Sequence, residues 1–384
     1  MRIFMPSHYH RVVDSGAGGA DMRLAKELRA LGLEVTLCFP QDILDLLPWP
    51  KFLVPIFPWS MARRFLKEHS KRPFDLVDST VGDFWVASRW MRFYRGRKVK
   101  RVVRSHGLEH IHSRVWKRLL NSFGESPSWK YQFYHGWYRL WEVEQDLKEA
   151  DAVVFHNSLE RKFVERYLGI DRAKTKVICH GVNERFFECD REQVLNDDNQ
   201  RMFHLIFIGR WTKLKGVHLL PPLVNRLFRK NSRYRLTCAG IGGEVKDKEI
   251  LAEFSEEDRN RITLIPYFDN NELPKLLMRC GIMVFPSVVD SFGLAVVEAM
   301  ACGVIVLSGT RVGAAIELIE NGKNGFILHR HEASVYADLI ESLVNQRELI
   351  RQVRRNAYDT VQRMTWRKVA VERLELYHKI MNLN

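Results

Sequence analysis

The sequence predicts an α/β protein made of two halves, each a parallel sheet covered by helices on both faces. Short apolar runs alternate with helical stretches along most of the 384-residue chain. The alternation pauses once, at the polar stretch Glu188 to Arg201, and then restarts. Several of the apolar runs lead into glycine-bearing turns that open a helix, the strand–turn–helix grammar of a parallel sheet.

The first half opens on a strand at Arg2 to Pro6. After a Gly-rich turn, Ala20 to Leu31 reads as a helix with Leu24, Leu28 and Leu31 on one face. Strands follow at Glu34 to Phe39, Asp75 to Asp78, Arg101 to Arg104, Ala152 to Phe155 and Lys176 to Cys179. In the second half, strands are expected at His204 to Ile208, Arg235 to Ala239, Ile262 to Ile265, Ile282 to Phe285 and Val304 to Leu307. Helices are expected at Leu219 to Phe228, Leu294 to Ala301, Val335 to Met364 and Trp366 to Met381. Two α/β halves joined by a linker place a cleft between them, and ligands of such sheets gather at the carboxyl ends of the strands.

Composition narrows the function classes. Apolar residues make up 46% of the chain, enough for large cores. The six cysteines form no C-x-x-C pair and have no zinc spacing, so a reducing compartment is expected. The N-terminus lacks a signal peptide's apolar stretch, and prolines interrupt the apolar segment Ile43 to Trp59. A soluble or peripheral, cytoplasmic protein is therefore expected. The net charge of +14 is uneven: residues 51–118 hold 17 Lys/Arg against 5 Asp/Glu. Such an excess points to an anionic partner. Within residues 47–104, apolar and aromatic residues adjoin Arg63, Arg64, Lys67, Lys71 and Arg72, a pattern suited to an anionic membrane surface or to a solvated basic face over core. The aromatic stretch Trp129 to Trp141 reads either as core or as a wall against a substrate. No helix-turn-helix, RRM or zinc-finger signature supports nucleic-acid binding.

Four segments of the second half carry chemistry. Gly209-Arg210-Trp211-Thr212-Lys213-Leu214-Lys215-Gly216 follows a strand, and its Arg210 and Lys215 are placed to reach one diphosphate. In Pro286 to Gly303 a strand again runs into a loop and helix. Phe292, Gly293 and Leu294 sit where free N–H groups hold phosphate. Asp290 and Glu298 can accept hydrogen bonds from two hydroxylated rings. Glu298 lies inside the apolar run LAVVEAMA, where a carboxylate needs a partner. Leu307 to Leu328 reads as a loop, a short helix and a Gly-bounded turn. Gly240 opens a glycine cluster after a further strand.

Together GRWTKLKG and FPSVVDSFGLAVVEAMACG resemble the retaining glycosyltransferases of glycosyltransferase family 4, which have the GT-B fold. The resemblance covers nearly the whole chain. It implies two Rossmann-like domains with parallel sheets facing across a cleft. Residues 1–187 would form the acceptor-binding domain, 188–201 the linker and 202–364 the nucleotide-sugar domain, with helix 365–384 crossing back to the first. By resemblance Arg210 and Lys215 bind the donor diphosphate, Asp290 contacts the transferred sugar and Glu298 the ribose. The family has Glu where this chain has Asp290, one methylene shorter, so a degenerate transferase stays open beside an active one. So does different GT-B chemistry, inverting transfer or epimerisation. Gly240 and Tyr267, the latter within Pro266 to Phe268, fall in the nucleotide region, and UDP, GDP and ADP all remain open.

The first half matches more loosely. Ser105-His106-Gly107-Leu108-Glu109 resembles the family's histidine loop, which implies that His106 lies near the reacting sugar. Gly16, Gly18 and Gly19 resemble the Gly-rich first loop that touches the donor phosphate; counting back from Gly32 favours Gly16, and motif shape favours Gly18-Gly19. His110 and His112 lie close to His106 in sequence, but no fourth ligand is nearby and no metal is expected. The resemblance implies a nucleotide diphosphate-sugar as donor and no separate cofactor. The acceptor is a glycan or lipid-linked saccharide, as in cell-surface polysaccharide or glycolipid synthesis. Arg210, Lys215, Asp290 and His106 are the catalytic candidates.

Overall fold

A computed structural model describes residues 1–13, 16–43, 53–91, 99–195, 199–243 and 245–382. The chain divides into two compact units, Met1–Gly181 with Trp366–Asn384, and Val182–Thr365.

The first unit carries six parallel strands: β1 (Arg2–Pro6), β2 (Glu34–Cys38), β3 (Leu76–Thr80), β4 (Lys100–Arg104), β5 (Ala152–Phe155) and β6 (Thr175–Val177). Their order across the sheet is β2-β1-β3-β4-β5-β6. β3 to β5 are buried along their whole length except at Lys100, as strands covered on both faces must be. On one face Leu24, Ala25 and Leu28 of the helix Ala17–Ala30 pack with Val369, Ala370 and Tyr377 of the last helix, Trp366–Asn382. Phe57, Met61 and Phe65 of the helix Leu53–Lys71 build a separate core with Phe74 and Phe84.

The last helix is also tied in by buried charge. Arg373 Nη1 lies 3.4 Å from Asp78 Oδ2, and the Tyr377 hydroxyl donates to the same oxygen. Arg104, fully buried at the end of β4, donates to the Asp78 and Asp21 carboxylates and to the Pro6 carbonyl, 3.1 Å away. Buried ions survive only when paired in this way, and removing one partner typically costs about 3–5 kcal/mol.

The second unit repeats the architecture with β7 (His204–Ile208), β8 (Arg235–Ala239), β9 (Ile262–Ile265), β10 (Ile282–Phe285), β11 (Ile305–Gly309) and β12 (Phe326–Leu328). The order is β12-β11-β10-β7-β8-β9, all parallel. The chain therefore winds one way from β7 to β8 and β9, and the other way from β10 onward. The crevice at the carboxyl ends of β7 and β10 is where this topology leaves room for a ligand.

The two sheets fall close to the expected strands, with shifts of one or two residues at several ends. β12 lies where a Gly-bounded turn is expected. The single helix expected over Val335 to Met364 is two, Ala333–Leu343 and Arg347–Val361. At the break, Gln346 Nε2 returns to the Ser342 carbonyl at 3.2 Å and Asn345 Nδ2 to the Glu341 carbonyl at 3.4 Å. These side chains serve carbonyls that the next helical turn would otherwise take, so the helix ends without loss. The polar stretch 188–201 belongs to the second unit. Arg201 in it is buried and donates to the carbonyls of Val194, Cys280 and Cys302 at 3.2–3.3 Å. All six cysteines are free thiols.

Candidate functional site

In the second unit, the turn after β7 and the loop after β10 meet at the strand-order reversal. Gly209 donates its N–H to the Ala239 carbonyl at 3.0 Å, which anchors the turn to the end of β8. The next side chains alternate in fate. Arg210 is exposed, whereas Trp211 is buried with its indole N–H 2.8 Å from Glu253. Lys213–Lys215 forms a short 3-10 turn that ends at Gly216 with φ 74°. A Cβ on Gly216 would land on the Pro286 carbonyl oxygen. This glycine thus lets the Arg/Lys turn lie directly against the loop after β10. Val288 N–H closes the contact, donating to the Leu214 carbonyl at 2.9 Å.

That contact delivers Lys215 to Asp290. The ammonium and the Asp290 carboxylate form an ion pair, their side chains 30% and 16% exposed. Lys215 Nζ also lies 5.7 Å from the centre of the Phe285 ring. Asp290 N–H donates to the Arg311 carbonyl and Gly313 N–H to the Asp290 carbonyl, at 2.9 and 3.0 Å. The loop before the helix Gly313–Leu318 therefore braces Asp290 from behind. Phe292 is buried, and Gly293 with φ 83° caps the helix Leu294–Ala301. Glu298 is half-buried on this helix, about one and a half turns from Gly293. Gly240, with its N–H 2.8 Å from the Ile265 carbonyl, leads from β8 toward the Pro266 to Phe268 segment. Tyr267 there is 80% exposed. The turn after β7 and the loop after β10 thus bring Lys215 and Asp290 together beside the N-terminus of the Leu294–Ala301 helix, groups suited to an anionic, hydroxylated ligand, with Arg210 on the same turn and Glu298 on the same helix.

In the first unit, His106 is held by residues brought together from distant parts of the chain. Its ring is almost fully buried, and Nε2 lies 2.8 Å from Asp21 Oδ1. Burial alone would raise the Asp21 carboxyl. Arg104 and His106 outweigh it and hold the group well below the usual carboxylate range. Ionised Asp21 accepts, so His106 donates from Nε2 and its Nδ1 faces away from this pair. Ser105, beside it, donates to Glu160 at 2.7 Å, and Tyr9 meets the ring edge-on at 5.6 Å. Asp21, Arg104, His156 and His180 are the residues that sequence reasoning missed. Asp21 sits one helical turn inside the Gly-rich loop, and only the fold reveals its proximity to His106.

The glycines of the first loop differ in their surroundings. A Cβ on Gly19 would collide with the Val13 carbonyl oxygen, whereas nothing lies within 4 Å of one on Gly16. Gly18 and Gly19 begin the helix in buried positions. Close backbone packing therefore demands glycine at Gly19.

Among the described residues, one nitrogen each of His106, His156 and His180 falls within 4.8 Å of the other two, close enough to be gathered around one ion. His110 and His112 are outside this group. The rings of the three lie against one another, His156 tilted on His180 at 3.7 Å between centres and His106 stacked on His180 at 5.6 Å. His156 Nδ1 donates to the Ile178 carbonyl at 2.8 Å. Burial, and then the neighbouring histidines, push the pKa of His156 and of His180 well below the ordinary value. The pair stays neutral and supports the flank of His106.

The basic region 47–104 lies partly outside the described residues, at 47–52 and 92–98. Much of the rest serves the unit itself. Arg64 pairs with Glu68 at 2.9 Å, Arg72 with Glu34 at 2.6 Å and Arg101 with Asp146 at 2.6 Å. The aromatic stretch divides. Trp141 packs against the Phe57–Phe84 core and Trp85, whereas Trp129, Phe133 and Trp137 are exposed. Among the described residues, no helix is long and apolar enough to cross a membrane.

Comparison with known proteins agrees with this fold. Residues 187–360 match the family described as Glycosyl transferases group 1, and residues 21–186 match Glycosyltransferase Family 4. A D-inositol 3-phosphate glycosyltransferase of Pseudarthrobacter chlorophenolicus is 27% identical over 296 residues, covering 70% of this chain and 70% of that protein. An uncharacterised glycosyltransferase, YqgM of Bacillus subtilis, is 26% identical over 325 residues, 84% of this chain and 82% of that protein. Among solved structures, a sucrose-phosphate synthase from Thermosynechococcus elongatus aligns over 100% of both chains with TM-score 0.80 and 19% identity. Anabaena Alr3699/HepE in complex with UDP-glucose aligns over 99% of this chain and 100% of that one, with TM-score 0.69 and 18% identity.

Proposed function

Since the chain belongs to glycosyltransferase family 4 and has the GT-B fold, we propose that it moves a sugar from a nucleotide diphosphate-sugar to a glycan or lipid-linked acceptor, with retention at the anomeric carbon. The observation that carries this reading is the Lys215–Asp290 pair at the β7/β10 reversal, with Arg210 and the Leu294–Ala301 helix beside it.

The reading assigns each group a task. Arg210 and Lys215 bind the diphosphate and neutralise the charge that grows on it as the glycosidic bond breaks. The N–H groups at Gly293 and Leu294 add to this. Asp290 holds a hydroxyl of the departing sugar and, through its ion pair, fixes Lys215. Because Lys215 is already positioned, little reorganisation is needed when charge develops. Glu298 accepts from the ribose, and Tyr267 lies beside the base. His106, oriented by Asp21, offers Nδ1 as an acceptor toward the sugar. With no nucleophile assigned, departure and attack occur on one face, and the diphosphate oxygen takes the acceptor's proton.

UDP is the first donor to try, because Alr3699/HepE is a structural neighbour with UDP and with UDP-glucose bound. Inositol phosphates are candidate acceptors because several relatives are D-inositol 3-phosphate glycosyltransferases. A panel of UDP-, GDP- and ADP-sugars, followed by NMR of the released or transferred sugar, tests the proposal. Turnover with an unchanged anomer supports it. Turnover with an inverted anomer removes the retaining mechanism, and no turnover of any nucleotide-sugar removes the activity.

A further inference from the structure

One feature of the first unit has no place in donor chemistry. The segment of the α-helix Trp129–Phe133 and the π-helical turn Tyr134–Tyr138 exposes three large aromatic side chains. Trp129 is 74%, Phe133 65% and Trp137 63% exposed. They are spaced by four, so they form one ridge along one helical face. The Phe133 and Trp137 rings lie 5.7 Å apart. Tyr138 and Trp141 on the other side stack toward the core, so the segment has a packed face and an outward aromatic face. Isolated exposed apolar residues are ordinary, but a contiguous aromatic ridge marks a surface that meets something.

The charge around the ridge chooses the occupant. Residues 110–138 carry Arg114, Lys117, Arg118 and Lys130 against the single acid Glu125. Lys130 Nζ lies 5.7 Å from the Trp129 ring centre. Lys117 Nζ approaches the backbone at Gly136, the residue before Trp137, to within 3.5 Å of where a Cβ would stand. Arg118 is exposed on the same preceding helix, Glu109–Ser122. Ammonium groups at the level of protruding indole rings match the layering of an anionic bilayer. There Trp favours the headgroup boundary and Lys meets the phosphates. A sugar-stacking wall would need polar side chains converging beside the rings in a concavity. This face is instead a ridge standing out into solvent.

We infer that the Trp129–Phe133–Trp137 ridge, flanked by Lys117 and Lys130, docks the first unit on an anionic lipid bilayer. This places membrane contact outside the 47–104 region. It is independent of donor chemistry and stands even if the transferase reading falls.

Sedimentation of the full-length protein with vesicles of phosphatidylcholine mixed with phosphatidylglycerol, and of phosphatidylcholine alone, tests it. Binding is expected to the mixed vesicles and to fall with salt. The variant Trp129→Ser/Phe133→Ser/Trp137→Ser should lose about tenfold or more in partitioning, because the inserted aromatic surface is gone. Lys117→Ser and Lys130→Ser should each lose about fivefold on mixed vesicles and little on neutral ones. Circular dichroism of each variant establishes that it is folded; if the triple variant misfolds, the two lysine variants and the blue shift of wild-type tryptophan emission on vesicles decide. Wild-type protein that stays in the supernatant, or folded variants that bind as well as wild type, would overturn the inference. So would a ridge that binds soluble glycan or a protein partner while ignoring both vesicle types.

Discussion

Replacing Lys215 by alanine separates two roles for this residue. If its ammonium stabilises the departing diphosphate, its removal should lower kcat/KM by about 10²–10³, or roughly 2.7–4 kcal/mol of barrier. The protein should survive the change. The Lys215–Asp290 pair has side chains 30% and 16% exposed, so its worth lies near the upper end of surface pairs, about 1 kcal/mol. For a unit of this size that shifts Tm by about 2–4 °C. The competing idea is that Lys215 only neutralises Asp290. A double-mutant cycle decides between them. Asp290→Asn keeps the side chain's shape and removes its charge. If Lys215 acts on the leaving group, Lys215→Ala/Asp290→Asn stays at least as impaired as Lys215→Ala. Initial rates with a radiolabelled nucleotide-sugar, on variants verified by thermal unfolding, measure all four corners. Recovery of activity in the double variant toward that of Asp290→Asn alone would refute the leaving-group role.

Arg210→Ala should lower kcat/KM by about 10²–10³ with Tm unchanged, because Arg210 is exposed; steady-state kinetics and calorimetry check both. Gly216→Ala should destabilise the second unit by about 1–3 kcal/mol from its left-handed backbone, and further from the clash with the Pro286 carbonyl, read as a lower denaturant midpoint. His156→Leu should flatten the fall in stability toward acid. His156 is held below its ordinary pKa by burial, then by His106, so below about pH 6.5 the unfolded chain takes a proton that the folded unit refuses. This contribution is present above that pH and lost as pH falls. Burial pushes Glu142 up to about 7 and Asp146 up to about 6, and these work in the opposite sense, so the effect is read as variant minus wild type. The slope should change by up to about 1.4 kcal/mol per pH unit, and identical urea midpoints relative to wild type across that range would contradict it.

The strands were legible because parallel strands buried on both faces must be largely unbroken apolar runs, as LIFI of β7, IMVF of β10 and AVVF of β5 are. β12 was missed because its three residues are too few to show a pattern. The Arg210–Lys215 turn and the Asp290–Glu298 segment were legible because each follows a strand at short range. That they touch depends on β7 pairing with β10, a neighbour 75 residues away for Lys215 and Asp290. The His106 surroundings were the least legible. Asp21 lies 85 residues from His106, and no local pattern joins them. The aromatic segment Trp129–Trp141 shows why spacing alone leaves orientation open: one side is core, the other is solvent, and the sequence reads as aromatic throughout.

The most direct test is a crystal structure of the protein with UDP. The account predicts that the diphosphate oxygens lie within about 3 Å of Arg210, Lys215 and the N–H groups at Gly293 and Leu294, with the ribose on Glu298. A diphosphate bound away from these groups, with Lys215 still facing only Asp290, would contradict it.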